Sequence, residues 1–173
     1  MNSEIQIIPM EEKYTRSYRD CAGSVMEERI YLLFTTVPSM EASIDWVTNA
    51  LSRNDPFYVA VKEDAVIGWC DIIRHDRETI DHGGRLGMGV RASYRGQGIG
   101  SALMRASLSD AHDKGIERVD LEVFEENTRA IELYQKFGFE REGCLRKARK
   151  LDGNYQNLIQ MGLLFMDQAA DAR

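Results

Sequence analysis

The sequence predicts one α/β domain built around a mixed sheet. Its 173 residues are close to the length of one domain. Hydrophobic residues make up 43% and charged residues 29%, as in ordinary globular chains. Segments with strand and helix periodicity alternate along the second half, and no repeat or Gly/Ser/Pro-rich linker marks a boundary. We therefore expect residues 1–173 to form a single domain.

The first elements are a short strand and two helical regions. Polar and apolar residues alternate over 4–8, and Pro9 ends this strand. Good helix formers fill 10–29, which predicts one or two helices. Pro38-Ser39 is a helix start, and apolar residues at helical spacing predict a helix over 40–51. Trp46 in this helix and Trp69 further on lie in apolar patterns and are expected in the core.

The middle of the chain predicts an antiparallel hairpin and a third strand. Residues 57–62 and 66–73 are rich in β-branched and aromatic side chains and are separated by a polar Glu-Asp turn. After a polar loop comes a strand over 85–90, in which alternate residues include Gly87 and Gly89. Glycine in a strand marks either a bulge or the close approach of another backbone or a ligand.

The second half alternates between helices and strands. Glycines at plausible C′ positions end both helices, and Asp152-Gly153 predicts a hairpin turn. The predicted elements are a helix over 99–114, a strand over 119–124, a helix over 128–137, and strands over 139–143 and 157–165. The full order is β-α-α-β-β-β-α-β-α-β-β.

Charge and cysteine content exclude several classes of protein. The formal net charge of −6 argues against a nucleic-acid binder. Three cysteines without a CxxC pair favour a reducing compartment, with Cys144 expected as a packed thiol. No signal peptide and no apolar stretch of membrane-spanning length are present in the sequence. We expect a soluble cytoplasmic protein without a membrane partner.

A strand that runs into a glycine-dense turn and then a helix carries the strongest chemical information. Glycines let backbone amides approach a ligand, and a helix N-terminus favours an anion such as a pyrophosphate. The P-loop ending Gly-Lys-Ser/Thr is missing, and the dinucleotide fingerprint would need glycine where Ser101 stands. The residues expected to bind the anion are Arg95, Gly96, Gln97, Gly98, Gly100 and Ser101.

Two blocks in register resemble the GNAT superfamily of N-acetyltransferases. The first is Arg95-x-x-Gly98-x-Gly100, and the second runs from Leu121-Glu122-Val123 through Asn127 to the Ala-Ile-x-Leu-Tyr-x-Lys-Phe-Gly-Phe segment over 130–139. The resemblance covers roughly residues 4–165. It includes bacterial amino-acid and small-amine acetyltransferases and ribosomal-protein alanine acetyltransferases. It implies a mixed, mostly antiparallel central sheet flanked by helices, with the fourth and fifth strands splayed to admit coenzyme A.

The resemblance also implies a role for individual residues. Backbone groups near Met88 and Val90 would hold the pantetheine arm and polarise the thioester carbonyl, and Asn127 would contact the pantetheine region. Tyr134 matches the general acid, and Glu122 is the first candidate for the general base. Spacing alone makes Tyr134 a core residue of a helical stripe, and Glu122 is equally well an ion-paired strand carboxylate. Because the strand over 85–90 has no acidic residue, a water relay stays open as the base.

The function implied is transfer of an acetyl group from acetyl-CoA to a primary amine by direct attack in a ternary complex. The acceptor would be an amino acid, another small amine or a peptide N-terminus. The alternative is a non-catalytic acyl-CoA-binding domain that acts as a sensor or partner module. No metal is expected, since the histidines of the 74–84 loop lack compact ligand spacing. The loop's role stays open, and relatives imply a homodimer through C-terminal strands such as residues 161–166.

Overall fold

The computed structural model describes residues 4–165, and its order of elements confirms the prediction. Two 3₁₀ turns, Glu12–Tyr14 and Ala92–Tyr94, precede α1 and α3 respectively. The helices and strands are β1 (Gln6–Pro9), α1 (Thr15–Met26), α2 (Met40–Ser52), β2 (Phe57–Lys62), β3 (Ala65–Arg74), β4 (Gly83–Val90), α3 (Ile99–Asp113), β5 (Arg118–Phe124), α4 (Thr128–Lys136), β6 (Glu140–Leu151) and β7 (Asn154–Leu164).

In the described part of the chain, seven strands are hydrogen-bonded in the order β1-β2-β3-β4-β5-β7-β6. The pairs β1-β2, β2-β3, β5-β7 and β6-β7 are antiparallel, and β4 pairs with β5 in parallel. The chain divides into two compact units. Unit 1 contains residues up to Ile73 together with Leu86–Ala111, and unit 2 contains Arg74–Arg85 and the residues from His112 onward. The mixed, mostly antiparallel α/β fold is as predicted.

Unit 1 is held together by an apolar cluster between the helices and the β2-β3 hairpin. Glu63 and Asp64 adopt φ of 51° and 60° in the hairpin turn, the backbone that a tight two-residue connection requires. Ser39 caps α2 by accepting the Ala42 N–H at 3.1 Å, as the predicted helix start requires. The buried residues of the cluster are Met10, Cys21, Ala22, Val25, Val47, Ala50, Phe57, Val59, Val61, Val66 and Trp69.

Unit 2 is organised by the alternation of side chains along β5. Val119, Leu121 and Val123 are buried, so the residues between them lie on the opposite face of the strand. β7 pairs with β5 over the whole length of β5, from Arg118 to Phe124. Positive φ at Asp152 (48°) and Gly153 (83°) forms the predicted two-residue turn between β6 and β7.

The last two strands are longer than predicted. β6 extends to Leu151 and β7 begins at Asn154, whereas the prediction ended the first strand at residue 143 and began the second at 157. The charged residues of the stretch 146–150 do not show the apolar pattern from which a strand is predicted. β6 is the last strand in the order and pairs with a neighbour on one side only. An edge strand tolerates solvated charges along its length.

Two side chains expected to be packed are exposed. Trp46 is 44% exposed because α2 buries Val47 and Ala50, and residue 46 lies about 100° around the helix from residue 47. Cys144 is an exposed free thiol on β6. Trp69, by contrast, is buried as predicted.

Candidate active site

The glycine-dense turn of unit 1 has the geometry of an anion site. Gly96 and Gly98 adopt φ of 82° and 80°, in the left-handed region that favours glycine. α3 begins at Ile99, and its first backbone hydrogen bond runs from Ala102 N–H to the Gly98 carbonyl at 3.0 Å. The amides of residues 99–101 therefore precede the helix ladder, at the positive end of the helix dipole.

The Arg95 side chain belongs to the structure of this turn. Its guanidinium makes a bidentate ion pair with Glu28, with Nη1 2.8 Å from Oε2, and its Nε donates to the Val90 carbonyl at 2.8 Å. It also stacks on the Tyr31 ring at 4.7 Å. Its charge is thus matched by a carboxylate within unit 1, and Arg95 acts on the turn mainly by holding it.

The glycines of β4 are explained by the side chains of β3. A Cβ at Gly89 would lie 2.4 Å from Cη2 of Trp69, and one at Gly87 would lie 3.3 Å from Oδ1 of Asp71. Met88 and Val90, expected to hold the pantetheine arm, are half-buried residues of the same strand. Packing against Trp69 and Asp71 thus accounts for both glycines, and approach of the coenzyme arm to this strand stays a prediction.

Asp71 is a buried acid that the sequence reasoning missed. It is 5% exposed, and burial raises the pKa of its carboxyl to about 7, with a smaller rise from Asp55 and an opposing hydrogen bond from Trp69. The available pattern was a single aspartate inside the apolar Trp-Cys-Asp-Ile-Ile run of β3. Burying a charged side chain in such a run costs free energy unless the charge is paired or hydrogen-bonded.

Glu122 lies in a charged network on the half-buried face of β5. Leu121 and Val123 are buried on the other face, as predicted. The Glu122 Oε2 is 3.7 Å from Nη1 of Arg85, and Arg85 Nε is 3.0 Å from Asp120 Oδ1. His75 completes the network, with its Nε2 2.8 Å from Asp120 Oδ2. The ion-paired interpretation of Glu122 is therefore observed, and its role as the base stays a prediction.

His82, the second histidine of the loop, contributes through its backbone. Its carbonyl accepts the N–H groups of Glu117 and Arg118 at 2.8 and 3.4 Å. Within residues 4–165, no three His, Cys, Asp or Glu side chains are grouped to hold a metal ion.

Asn127 and Tyr134 are both placed by α4 in unit 2. Asn127 is the N-cap of this helix, its Oδ1 accepting the Ala130 N–H at 3.2 Å. Tyr134 is the buried residue of the helix, and its ring centroid is 5.9 Å from that of Phe139. The predicted stripe is therefore real, with Ala130, Leu133 and Phe137 half-buried around Tyr134.

The fold is a mixed α/β sheet protein in which a turn with two left-handed glycines precedes α3. Residues 16–139 match the Acetyltransferase (GNAT) family. Because this match covers most of the chain, the protein belongs to the acetyltransferase (GNAT) family, and the resemblance drawn from the two sequence blocks is confirmed. Family membership supports an acyltransferase enzyme.

Three relatives illustrate the likeness. The L-amino acid N-acetyltransferase AaaT of Escherichia coli (strain K12) is 32% identical over 104 residues, which cover 60% of this chain and 64% of that protein. The ribosomal-protein-alanine N-acetyltransferase from Brucella melitensis has a TM-score of 0.87 at 22% identity, covering 92% of this chain and 99% of that chain. YncA from Salmonella typhimurium, solved with its cofactor acetyl-CoA, has a TM-score of 0.89 at 15% identity, covering 98% and 99%. The two structures share the fold.

No helix within residues 4–165 has both the length and the apolar character that crossing a bilayer requires.

Proposed function

We propose that this protein transfers an acetyl group from acetyl-CoA to a primary amine, by direct attack of the amine in a ternary complex. The observation that carries the proposal is the turn of unit 1, where two left-handed glycines precede the start of α3 in a chain of the acetyltransferase (GNAT) family. The named activity of the Escherichia coli relative and the acetyl-CoA bound to the Salmonella neighbour support the same reaction.

The turn fits the pyrophosphate of acetyl-CoA. The backbone amides from Gly96 to Ser101 would bind it, because they carry the positive end of α3 and their glycines leave room for close approach. A Cβ at Gly98 would meet nothing within 4 Å, so this position is open toward a ligand. Backbone groups of Met88 and Val90 would hold the pantetheine arm, and Asn127 would contact it.

Acetyl-CoA supplies the electrophilic thioester, and the chain supplies the proton transfers. An alkylamine with a pKa near ~10 arrives mostly protonated and needs a base, directly or through water. Glu122 is the proposed base in unit 2, where Leu121 and Val123 turn it away from the core. Tyr134 is the proposed acid for the leaving thiolate, whose thiol pKa is near ~8.5 by analogy with cysteine.

The role of Glu122 is tested with Glu122→Gln. We expect kcat/KM to fall and its acid limb to move, because the amide cannot accept a proton. Glu132→Gln, at an exposed position of α4, removes the same charge from unit 2 and serves as the control. A Glu122→Gln enzyme with the pH profile of the wild type would transfer the role of base to a water relay.

The reaction itself is tested by the release of coenzyme A thiol from acetyl-CoA in the presence of amino acids, other small amines and N-terminal peptides. We expect one class of amine to stimulate release. Saturable acetyl-CoA binding without stimulated release by any class would favour the alternative, a non-catalytic acyl-CoA-binding domain. That alternative is favoured by one observation, the lack of an acidic residue in β4.

Acetyl-CoA binding by the turn has a matched pair of variants at the two ends of α3. Gly98→Ala and Gly115→Ala replace glycines with φ of 80° and 74°, and both added methyl groups would enter open space. The backbone strain is therefore similar, about 1 kcal/mol or more. We expect only Gly98→Ala to weaken acetyl-CoA binding, measured by calorimetry, and equal affinities would remove the turn from the site.

Several wider statements stay predictions. We propose one acetyltransferase domain over residues 1–173, a cytoplasmic location, and partners limited to acetyl-CoA, a small-molecule or peptide amine and a second copy of the chain. Met166, part of the apolar stretch expected at a homodimer contact, lies outside the described residues.

A further inference from the structure

A buried carboxylate in unit 1 is surrounded by aromatic side chains. Asp71 accepts a hydrogen bond from Trp69, which is itself 4% exposed. The ring centroid of Tyr18 is 5.8 Å from that of Trp69 and 5.2 Å from that of Phe57. Trp46 donates a hydrogen bond to Tyr18. We call these five residues, Asp71, Trp69, Tyr18, Phe57 and Trp46, the aromatic-acid cluster.

The cluster becomes negative when Asp71 ionises. Besides hydrogen bonds from Trp69 and its own backbone, Asp71 interacts with Asp55, a second buried carboxylate. Arg53 Nε lies 3.3 Å from Asp55 Oδ2 and matches that charge. Aromatic rings attract cations to their faces, and buried carboxylates are stabilised by a paired cation. A cationic ligand would balance the ionised form of Asp71.

The carboxylate of Asp71 faces a position without a side chain. The three atoms nearest to a Cβ built on Gly87 all belong to this carboxyl group, with Oδ1 at 3.3 Å and Oδ2 at 3.4 Å. Gly87 is itself half-buried. A side chain at position 87 would therefore press on both carboxylate oxygens, and glycine leaves that side of the carboxyl group bordered only by the β4 backbone.

We propose that the aromatic-acid cluster is the binding site for the primary ammonium group of the acceptor, with the Asp71 carboxylate receiving it beside Gly87. Identification of the ligand as the acceptor rests on the proposed function, whereas binding of an ammonium group does not. The site selects acceptors that are cationic near pH 7, such as amino acids, alkylamines and peptide N-termini. The raised pKa of Asp71 fits a carboxyl that ionises when a cation arrives.

The protein carries its own reporter for this site. Its two tryptophans, Trp46 and Trp69, both belong to the cluster. The probe is n-butylammonium chloride at constant ionic strength and pH 8, with n-butanol as the uncharged analogue. We expect a saturable change in tryptophan fluorescence with the ammonium and none with the alcohol.

Two variants and one control test the role of the carboxylate. Asp71→Asn keeps an acceptor for Trp69 but removes the charge, and we expect n-butylammonium to bind at least about tenfold more weakly. Gly87→Ala should also weaken binding, because the methyl group occupies the volume beside the oxygens. Asp64→Asn removes an exposed carboxylate of unit 1 at φ 60°, which asparagine tolerates, and should bind like the wild type.

The wild type alone gives an independent measurement if Asp71→Asn does not fold. Its affinity for n-butylammonium should fall as the pH is lowered from 8 to 5.5, because the carboxyl of Asp71 takes up a proton. The titratable groups that interact with Asp71 are Asp55, Tyr18 and Cys70, and burial raises the pKa of the Tyr18 hydroxyl and the Cys70 thiol away from this range.

The outcomes separate this inference from the proposed function. Binding that depends on Asp71, with no amine stimulating thiol release, would support the ammonium site and refute the acetyltransferase reaction. Thiol release with the same amine KM and the same fluorescence titration in Asp71→Asn and Asp64→Asn would refute the ammonium site and leave the reaction intact. A KM for the amine raised at least about tenfold, with unchanged acetyl-CoA affinity, supports both.

Discussion

Replacing Gly89 with alanine would place a methyl group inside the Trp69 ring. The new Cβ would lie 2.4 Å from Cη2 and 2.5 Å from Cζ3, whereas carbon atoms in contact prefer about 3.5–4.0 Å. Trp69 cannot move aside easily, because it is 4% exposed and its indole donates to Asp71. Overpacking of this kind costs about 1–3 kcal/mol of stability. At about 2–4 °C per kcal/mol for a chain of this size, a clear fall in Tm is expected.

A double-mutant cycle followed by circular dichroism identifies the cause. Trp69→Phe removes Cη2 and Cζ3, so Gly89→Ala should cost at least about 1 kcal/mol less in that background than in the wild type. An equal cost in both backgrounds would refute the packing argument. If acetyl-CoA affinity then fell in both backgrounds, Gly89 would instead be required by the coenzyme arm, the other interpretation of this glycine.

Three further predictions concern the turn, the acid and the buried carboxylate. Tyr134→Phe should change the free energy of unfolding by no more than about 1 kcal/mol and should lower kcat, since only a hydroxyl is lost. Tyr155→Phe, at a 52% exposed position, is the control. Wild-type turnover of Tyr134→Phe at every pH would exclude Tyr134 as the acid. Glu28→Gln and Arg95→Gln should each destabilise the fold. Because their ion pair is bidentate but about a quarter exposed, the double variant measured by thermal denaturation should show a coupling energy of about 1 kcal/mol. Additive effects of the two substitutions would contradict the importance of this ion pair. The pKa of Asp71 rises to about 7 in the folded chain, so between about pH 4 and pH 7 the folded chain keeps a proton that the unfolded chain has lost. The contribution of Asp71 to the free energy of unfolding should therefore fall as the pH rises through this range. A difference in Tm between the wild type and Asp71→Asn that is independent of pH would contradict this.

Much of the fold was readable because local chemistry determines it. The left-handed glycines at 115 and 138 end α3 and α4 where the sequence predicted, because few other residues adopt that backbone without strain. The Asp-Gly turn and the alternation along β5 were readable for the same reason. Strand β6 was predicted too short, because its charged residues are tolerated only by an edge position that the local sequence does not reveal.

The sequence by itself determined the order of the elements, the glycine turn at the start of α3 and the family to which the chain belongs. These depend on backbone conformation and residue spacing within short segments, which neighbouring residues already specify. Only the tertiary structure decided the partners of particular side chains. It joined Arg95 to Glu28 across 67 positions, packed Gly89 against Trp69 and buried Asp71 beside Tyr18. Such contacts arise when strands and helices far apart in the chain come together, and no local pattern encodes that distance.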